Sequence, residues 1–186
     1  MVPLASLWLP VLVAAILVFV TSSLIHMVLK YHNADYRSLP NEDAVREVLK
    51  AGPLAPGQYV IPHCADPKDM CNEPMKRKFT EGPVGLLWIQ APGLPNMGKT
   101  LAAWFAYLLV VSVFAGYVAA RTLGADAPYL QVFRVAGTVA FLAYAGAAAP
   151  ASIWMGKPWR ATCLDLVDGL LYALVTAGAF GWLWPR

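Results

Sequence analysis

Three groups of side chains in this sequence have the types and spacing that chemistry requires. His26, Asp165 and Asp168 lie in or beside long apolar segments, where an ionisable group is costly and counts by default as a candidate functional group. A carboxylate beside an imidazole favours the protonated ring, and such a pair can relay protons or orient a ligand. A contact between His26 and Asp168 is therefore the sharpest site expectation. Interfacial hydration or plain interhelical hydrogen bonding is the alternative for the same residues. A second group is His63, Cys64, Met70 and Cys71, with Met75 close by and His32 elsewhere in the same region. Imidazole, thiolate and thioether are the ligands that select soft metals such as Cu(I), although this spacing matches no established motif. Cys64 and Cys71 can instead form a disulfide in an oxidising compartment, or stay as thiols in a reducing one. The third group is the stretch GLPNMGKT, in which Gly93, Gly98, Lys99 and Thr100 satisfy the phosphate-loop pattern G-x-x-x-x-G-K-[ST].

The surrounding chain decides the third case. A phosphate loop works inside a parallel sheet whose other strands supply an acid for magnesium and a residue that positions water. GLPNMGKT is instead followed by AAWFAYLLVVSVFAGYVAA, an apolar run long enough to cross a bilayer. The match is read as fortuitous, and no nucleotide site is expected. Pro92, Gly93 and Pro95 turn the chain, Asn96 is the expected helix cap, and Lys99 holds a span end at the interface.

The elements that must position these groups follow from composition. Of 186 residues, 59% are hydrophobic and 13% charged, against roughly 25% charged in an ordinary soluble domain. Four segments, at about 7–29, 101–120, 129–149 and 163–183, approach the roughly 20 apolar residues that a helix needs to cross a hydrocarbon core. The first has no basic leader and no small-residue cleavage site, so it reads as a retained anchor. The expected fold is an all-α membrane bundle of four transmembrane helices with a small α+β extramembrane insertion between spans one and two. Residues 1–30 hold the first span, 31–98 the insertion, and 99–186 a three-helix transmembrane unit. A dispersed net charge of +3 gives no reason to expect nucleic acid as a partner. The three cysteines match no zinc pattern.

Within the insertion, the pattern predicts a helix that starts with Asn41 as N-cap and stops at Gly52-Pro53. A strand at 58–61, a short helix at 73–79 and a second strand at 84–90 complete an α-β-α-β unit. Basic residues near span ends gather on loops one and three, as Lys30, Arg37, Arg46, Lys99, Lys157 and Arg160. The opposite face carries Arg121 and Arg186, with Arg134 a short way into span three. By the positive-inside rule the insertion is expected in the cytoplasm. Arg134 and Asp168 each follow the start of their own span and so approach opposite faces, roughly 15 Å or more apart at 1.5 Å per residue, which argues against their pairing. Small residues four apart, Ser112, Gly116 and Ala120 in span two and Gly169, Ala173, Ala177 and Gly181 in span four, line faces that let helices approach closely. Trp8, Trp104, Tyr129, Trp154, Trp159, Trp182 and Trp184 fall where an aromatic belt would place them.

At SSLIHMVL, EGPVGLL, PNMGK, PYLQVFRVAGTVAFLAY and DGLLYALVTAGAFGWLWP, the chain resembles a group of small bacterial inner-membrane proteins with the same layout and no established activity. The resemblance extends over nearly the whole chain. It implies a multi-pass protein of the bacterial inner membrane and carries across no catalytic residue. The leading expectation is a non-enzymatic structural, assembly or accessory component with no cofactor. It would be embedded in the lipid bilayer and would contact a protein partner or a second copy of itself. Two alternatives stay open: a redox or soft-metal protein using Cys64 and Cys71, and a small transporter or proton-relay component using His26 and Asp168.

Overall fold

The computed structural model describes residues 2–52 and 54–185. Pro53 and Arg186, used above as a helix stop and as a basic residue at a span end, lie outside the described residues. The chain forms two compact units, one from the segment up to Tyr36 together with Asn96 onward, the other from Arg37–Pro95.

In chain order the elements are α1 (Trp8–Ser23), α2 (Glu42–Ala51), β1 (Gly57–Ile61), α3 (Glu73–Glu81), β2 (Gly85–Ile89), α4 (Met97–Thr122), α5 (Tyr129–Ala145), α6 (Ala148–Met155) and α7 (Trp159–Trp182). Four helical stretches are long and apolar enough to cross a membrane: Leu4–Leu29, Met97–Thr122, Tyr129–Met155 and Trp159–Trp182. The third is broken near Gly146, where an added Cβ would meet the Leu142 carbonyl oxygen at 2.4 Å. The chain there turns from α5 into the short α6, which a hydroxyl pair between buried Ser152 and Thr162 at 2.5 Å ties to α7.

Glycines set the spacing of the larger unit. A Cβ on Gly181 would lie 2.7 Å from the Tyr129 ring, one on Gly137 3.0 Å from Ala177, and one on Gly169 2.8 Å from Ala145. Helices α5 and α7 therefore run antiparallel at near-backbone contact along the whole of α5. Gly116 of α4 meets Phe180 at 3.0 Å and Leu7 at 3.4 Å by the same construction. Ser112, Ala120, Ala173 and Ala177 are all buried. Close fit between small residues is also the packing that helices use in lipid, where leucine gains nothing by leaving one apolar neighbour for another.

The tryptophans divide into two kinds. Trp8, Trp154, Trp159 and Trp182 are exposed. Trp184 instead is buried and donates from Nε1 to the Gly124 carbonyl at 2.9 Å, while Trp104 donates to Ser22 Oγ at 3.0 Å. Both hydrogen bonds join separate parts of the larger unit, as an indole N–H drawn out of water requires an acceptor.

The smaller unit contains an antiparallel pair, β1 with β2, in which Gln58 faces Trp88 and Val60 faces Leu86. Asn72 caps α3 by accepting from the Met75 N–H at 3.0 Å. Asn41 departs from its expected role. It precedes α2 in a left-handed conformation (φ 56°) and its side chain makes no cap hydrogen bond, which leaves Glu42 and Asp43 in the first turn to offset the helix dipole.

One test concerns the close contact of α5 and α7. Gly169→Val should lower the thermal unfolding midpoint in detergent by an amount equivalent to about 1–3 kcal/mol, the usual cost of overpacking. Gly124→Ala, at a position with nothing within 4 Å, should leave it unchanged; equal midpoints for the two variants would contradict the packing account.

Candidate functional site

The site begins where span one ends. After α1 the helix widens into a π-helical turn over Leu24–Leu29 and stops at Lys30, which is left-handed at φ 51°. A non-glycine residue in that region is held against an intrinsic preference, and wide helical turns of this kind recur at functional sites. A 3-10 turn, Tyr31–Asp35, follows at once, so the chain folds back over α7 instead of leaving the bundle. Helical spacing puts His32 and Asp35 on one face of that turn.

The face meets Asp168. The His32 ring contacts Asp168 Oδ2 through Nε2 at 2.8 Å and Asp35 Oδ2 through Nδ1 at 3.1 Å. The Tyr31 hydroxyl donates to Asp168 Oδ1, and the Arg160 guanidinium holds Asp35 Oδ1. His26 stands alongside, its ring centroid 5.1 Å from that of His32. One ligating atom each from His26, His32 and Asp168 falls within 4.8 Å of the others. Asp168 is 5% exposed, and the side chains of His32 and Asp35 are 15% and 9% exposed. Burial, and then the hydrogen bond and charge of Asp168, push the Tyr31 phenol above its ordinary pKa, so Tyr31 stays a donor.

The donor arithmetic of His32 constrains what the cluster can do. A neutral imidazole carries one N–H, yet each His32 nitrogen faces a carboxyl oxygen. If Nδ1–H donates to Asp35, the Nε2 lone pair points at Asp168, and the 2.8 Å contact needs a shared proton; a metal ion bound to both atoms would replace that proton and lie off the line between them. A histidine that donates its far N–H to a carboxylate while its near nitrogen ligates is the usual outer-shell arrangement of a metal site.

Beside the cluster lies a cleft of about 480 Å³, lined by residues of α4, α5, α6 and α7 and by His26 and Asp168. Asp165 lines it too and pairs with Lys157. Trp104 and Tyr107 stack there with centroids 5.5 Å apart and planes inclined by 23°.

Other expected sites fall elsewhere. Cys64, Cys71 and Cys163 are free thiols, and Cys64 Sγ donates to the Asp66 carbonyl at 3.0 Å. Among the described residues, His63, Cys64 and Cys71 join no group of three histidine, cysteine or acidic ligands, and Met70 is exposed. Around GLPNMGKT the strand pairing is antiparallel. Asn96 accepts from the Lys99 N–H at 3.0 Å and Thr100 Oγ1 donates to the Asn96 carbonyl at 3.2 Å, which makes the stretch a helix start. Arg134 has no acidic partner within 4 Å among the described residues.

Sequence reasoning placed His26, Asp165 and Asp168 at the site and missed Tyr31, His32 and Asp35. The available signal was the stretch YHNAD directly after a span, with His and Asp three apart behind a Tyr.

Tyr31→Phe keeps the ring and removes one donor from a buried carboxyl. It should destabilise the protein by about 1–3 kcal/mol, the range for an orphaned hydrogen bond to a charged partner. In a double-mutant cycle with Asp168→Asn the two losses should be non-additive; strictly additive midpoints would show that the two groups do not interact. Comparison of the chain with protein-family models, curated proteins and solved structures returned no match in any of the three.

Proposed function

We propose that this chain is a multi-pass membrane metalloprotein holding one divalent first-row transition ion, of the zinc or ferrous-iron class, on His26, His32 and Asp168. The carrying observation is the convergence of the three ligating atoms within 4.8 Å, one of them on the buried Asp168. Two imidazoles and a carboxylate are a ligand set for such ions, and three protein ligands leave a coordination position open for water or substrate. Asp35 and Tyr31 supply the outer hydrogen bonds that fix ring and carboxyl. Lys30, Lys99, Lys157 and Arg160 near the same span ends support placing this end at the cytoplasmic face of a bacterial inner membrane.

A second reading is favoured by the direct 2.8 Å contact of His32 with Asp168: a hydrogen-bonded staple between the span-one exit and α7, in a non-enzymatic assembly component. Cobalt(II) titration of the detergent-purified, chelator-treated chain separates the two. The metal reading predicts visible ligand-field bands that saturate at about one ion per chain, with affinity falling roughly 10- to 100-fold in Asp35→Asn. The bands should be lost in Asp168→Ala and His32→Ala. Absence of the bands, or bands indifferent to all three substitutions, would leave the staple.

A further inference from the structure

Arg134 is the one charged residue of the apolar stretch Tyr129–Met155. It is exposed on α5, and among the described residues it forms no ion pair. A charge within an apolar span calls for a counter-charge. Thr138, one helical turn further on, is also exposed and shares a face with Arg134. Its hydroxyl is unusual in this chain. Thr21, Thr80, Thr100, Thr122 and Thr176 each donate to the carbonyl four residues earlier, and Thr162 pairs with Ser152. Thr138 has no hydrogen-bond partner among the described residues, although a helical threonine commonly bonds back in this way.

Both side chains line a groove of about 280 Å³ between α5 and α7. Its floor is made of small residues, Gly137, Ala173 and Ala177, and its walls include the exposed Phe141, Leu170 and Leu174. From Arg134 to Phe141 the groove runs about 10 Å at 1.5 Å per residue, roughly a third of a hydrocarbon core. Its polarity has a direction. Arg134 follows the start of span three by five residues, so the charge lies towards the near face of the membrane and the apolar part runs towards the middle of the span.

We infer that this groove holds one anionic phospholipid, its phosphate on Arg134 and Thr138 and one acyl chain along the small-residue floor. The inference rests on the membrane part of the proposed function and not on the metal. A guanidinium donates two parallel hydrogen bonds to a phosphate, and its long stem lets it reach from the apolar region to the headgroup level. The lining contains no carboxylate that would receive the amine of a zwitterionic headgroup. A second copy of the chain offers no acid at this depth. The acids within the four spans are Asp165 and Asp168, and the nearer, Asp168, is roughly 13 Å along α7 from the level of Ala177.

Native mass spectrometry of the full chain in detergent tests this with three ligands. They are dioleoylphosphatidylglycerol, dioleoylphosphatidylethanolamine with the same chains, and glycerol phosphate, which is the anion without chains. One phosphatidylglycerol should bind about tenfold more tightly than phosphatidylethanolamine, and glycerol phosphate should not bind measurably. Arg134→Gln should erase the preference and Arg134→Lys should keep most of it. Thr138→Val, of similar size, should weaken phosphatidylglycerol about threefold, as loss of one neutral hydrogen bond does. If Arg134→Gln does not fold, as judged by its unfolding midpoint, the comparison of the two lipids and Thr138→Val decide. Equal affinity for the two lipids, indifference to Arg134→Gln, or glycerol phosphate bound as tightly as the lipid overturns the inference. A smaller assembly on gel filtration of Arg134→Gln would assign the groove to a second copy and overturn it as well. The chain is also reconstituted in vesicles, washed at alkaline pH and floated. A chain washed off overturns the membrane reading together with the groove, whereas a chain that floats without lipid selectivity overturns the groove alone.

Discussion

A carboxyl group that has left water must be met by donors or by a cation, and much of the larger unit follows from how Asp168 satisfies that requirement. It sits on α7 at 5% exposure, beside the aromatic rings of Trp104, Tyr144 and Tyr172. Both of its oxygens are met by residues that follow span one directly, Tyr31 and His32. Bringing them there requires the wide turn at Leu24–Leu29 and a left-handed Lys30, a local conformation that would be unfavourable without a reward. Stripping the partner from a buried charged group typically costs about 3–5 kcal/mol, enough to hold such a backbone in place. The same contacts carry Asp35 and Arg160 into the cluster and leave His26 at its edge.

That arrangement presupposes a rigid α7, and small residues provide it. Contacts from Gly169 against Ala145 to Gly181 against Tyr129 fix α7 on α5 along a continuous line, and the hydroxyl pair of Ser152 and Thr162 fixes α6 on its start. The buried ionisable group, Asp168, and its partners then gather at one end. The opposite end is closed by packing and by single hydrogen bonds, such as Trp184 to Gly124. Asymmetry of this kind is the usual mark of a site placed on a scaffold: the packing is needed for position, and the chemistry is confined to a few side chains.

The sequence showed the four long helices, the small-residue faces and the Asn96 helix start, because hydropathy, spacing and capping chemistry are local properties. It also pointed to His26, Asp165 and Asp168, since ionisable residues in apolar runs stand out. His32 did not stand out. It lies outside the apolar run, in a stretch that reads as the start of a loop, and only the reversal at Lys30 brings it back to α7. Nothing local to Lys30 announces a left-handed residue, which is usually marked by glycine or asparagine. For the same reason His32 reads from the sequence only as lying in the same region as the cysteine group, and the hydrogen bonds of Trp104 and Trp184 to Ser22 and Gly124 are not legible there.

Two chemically different metal centres can be drawn from this chain, and their donor atoms separate them. The cysteine group would supply sulfur, whereas the assembled cluster supplies imidazole nitrogen and carboxylate oxygen. X-ray absorption at the zinc edge of the purified, zinc-loaded protein tests this most directly. The account predicts a first shell of nitrogen and oxygen at about 2.0–2.2 Å, with the outer scattering of imidazole rings. A shell containing sulfur near 2.3 Å, or one of water alone, would contradict it.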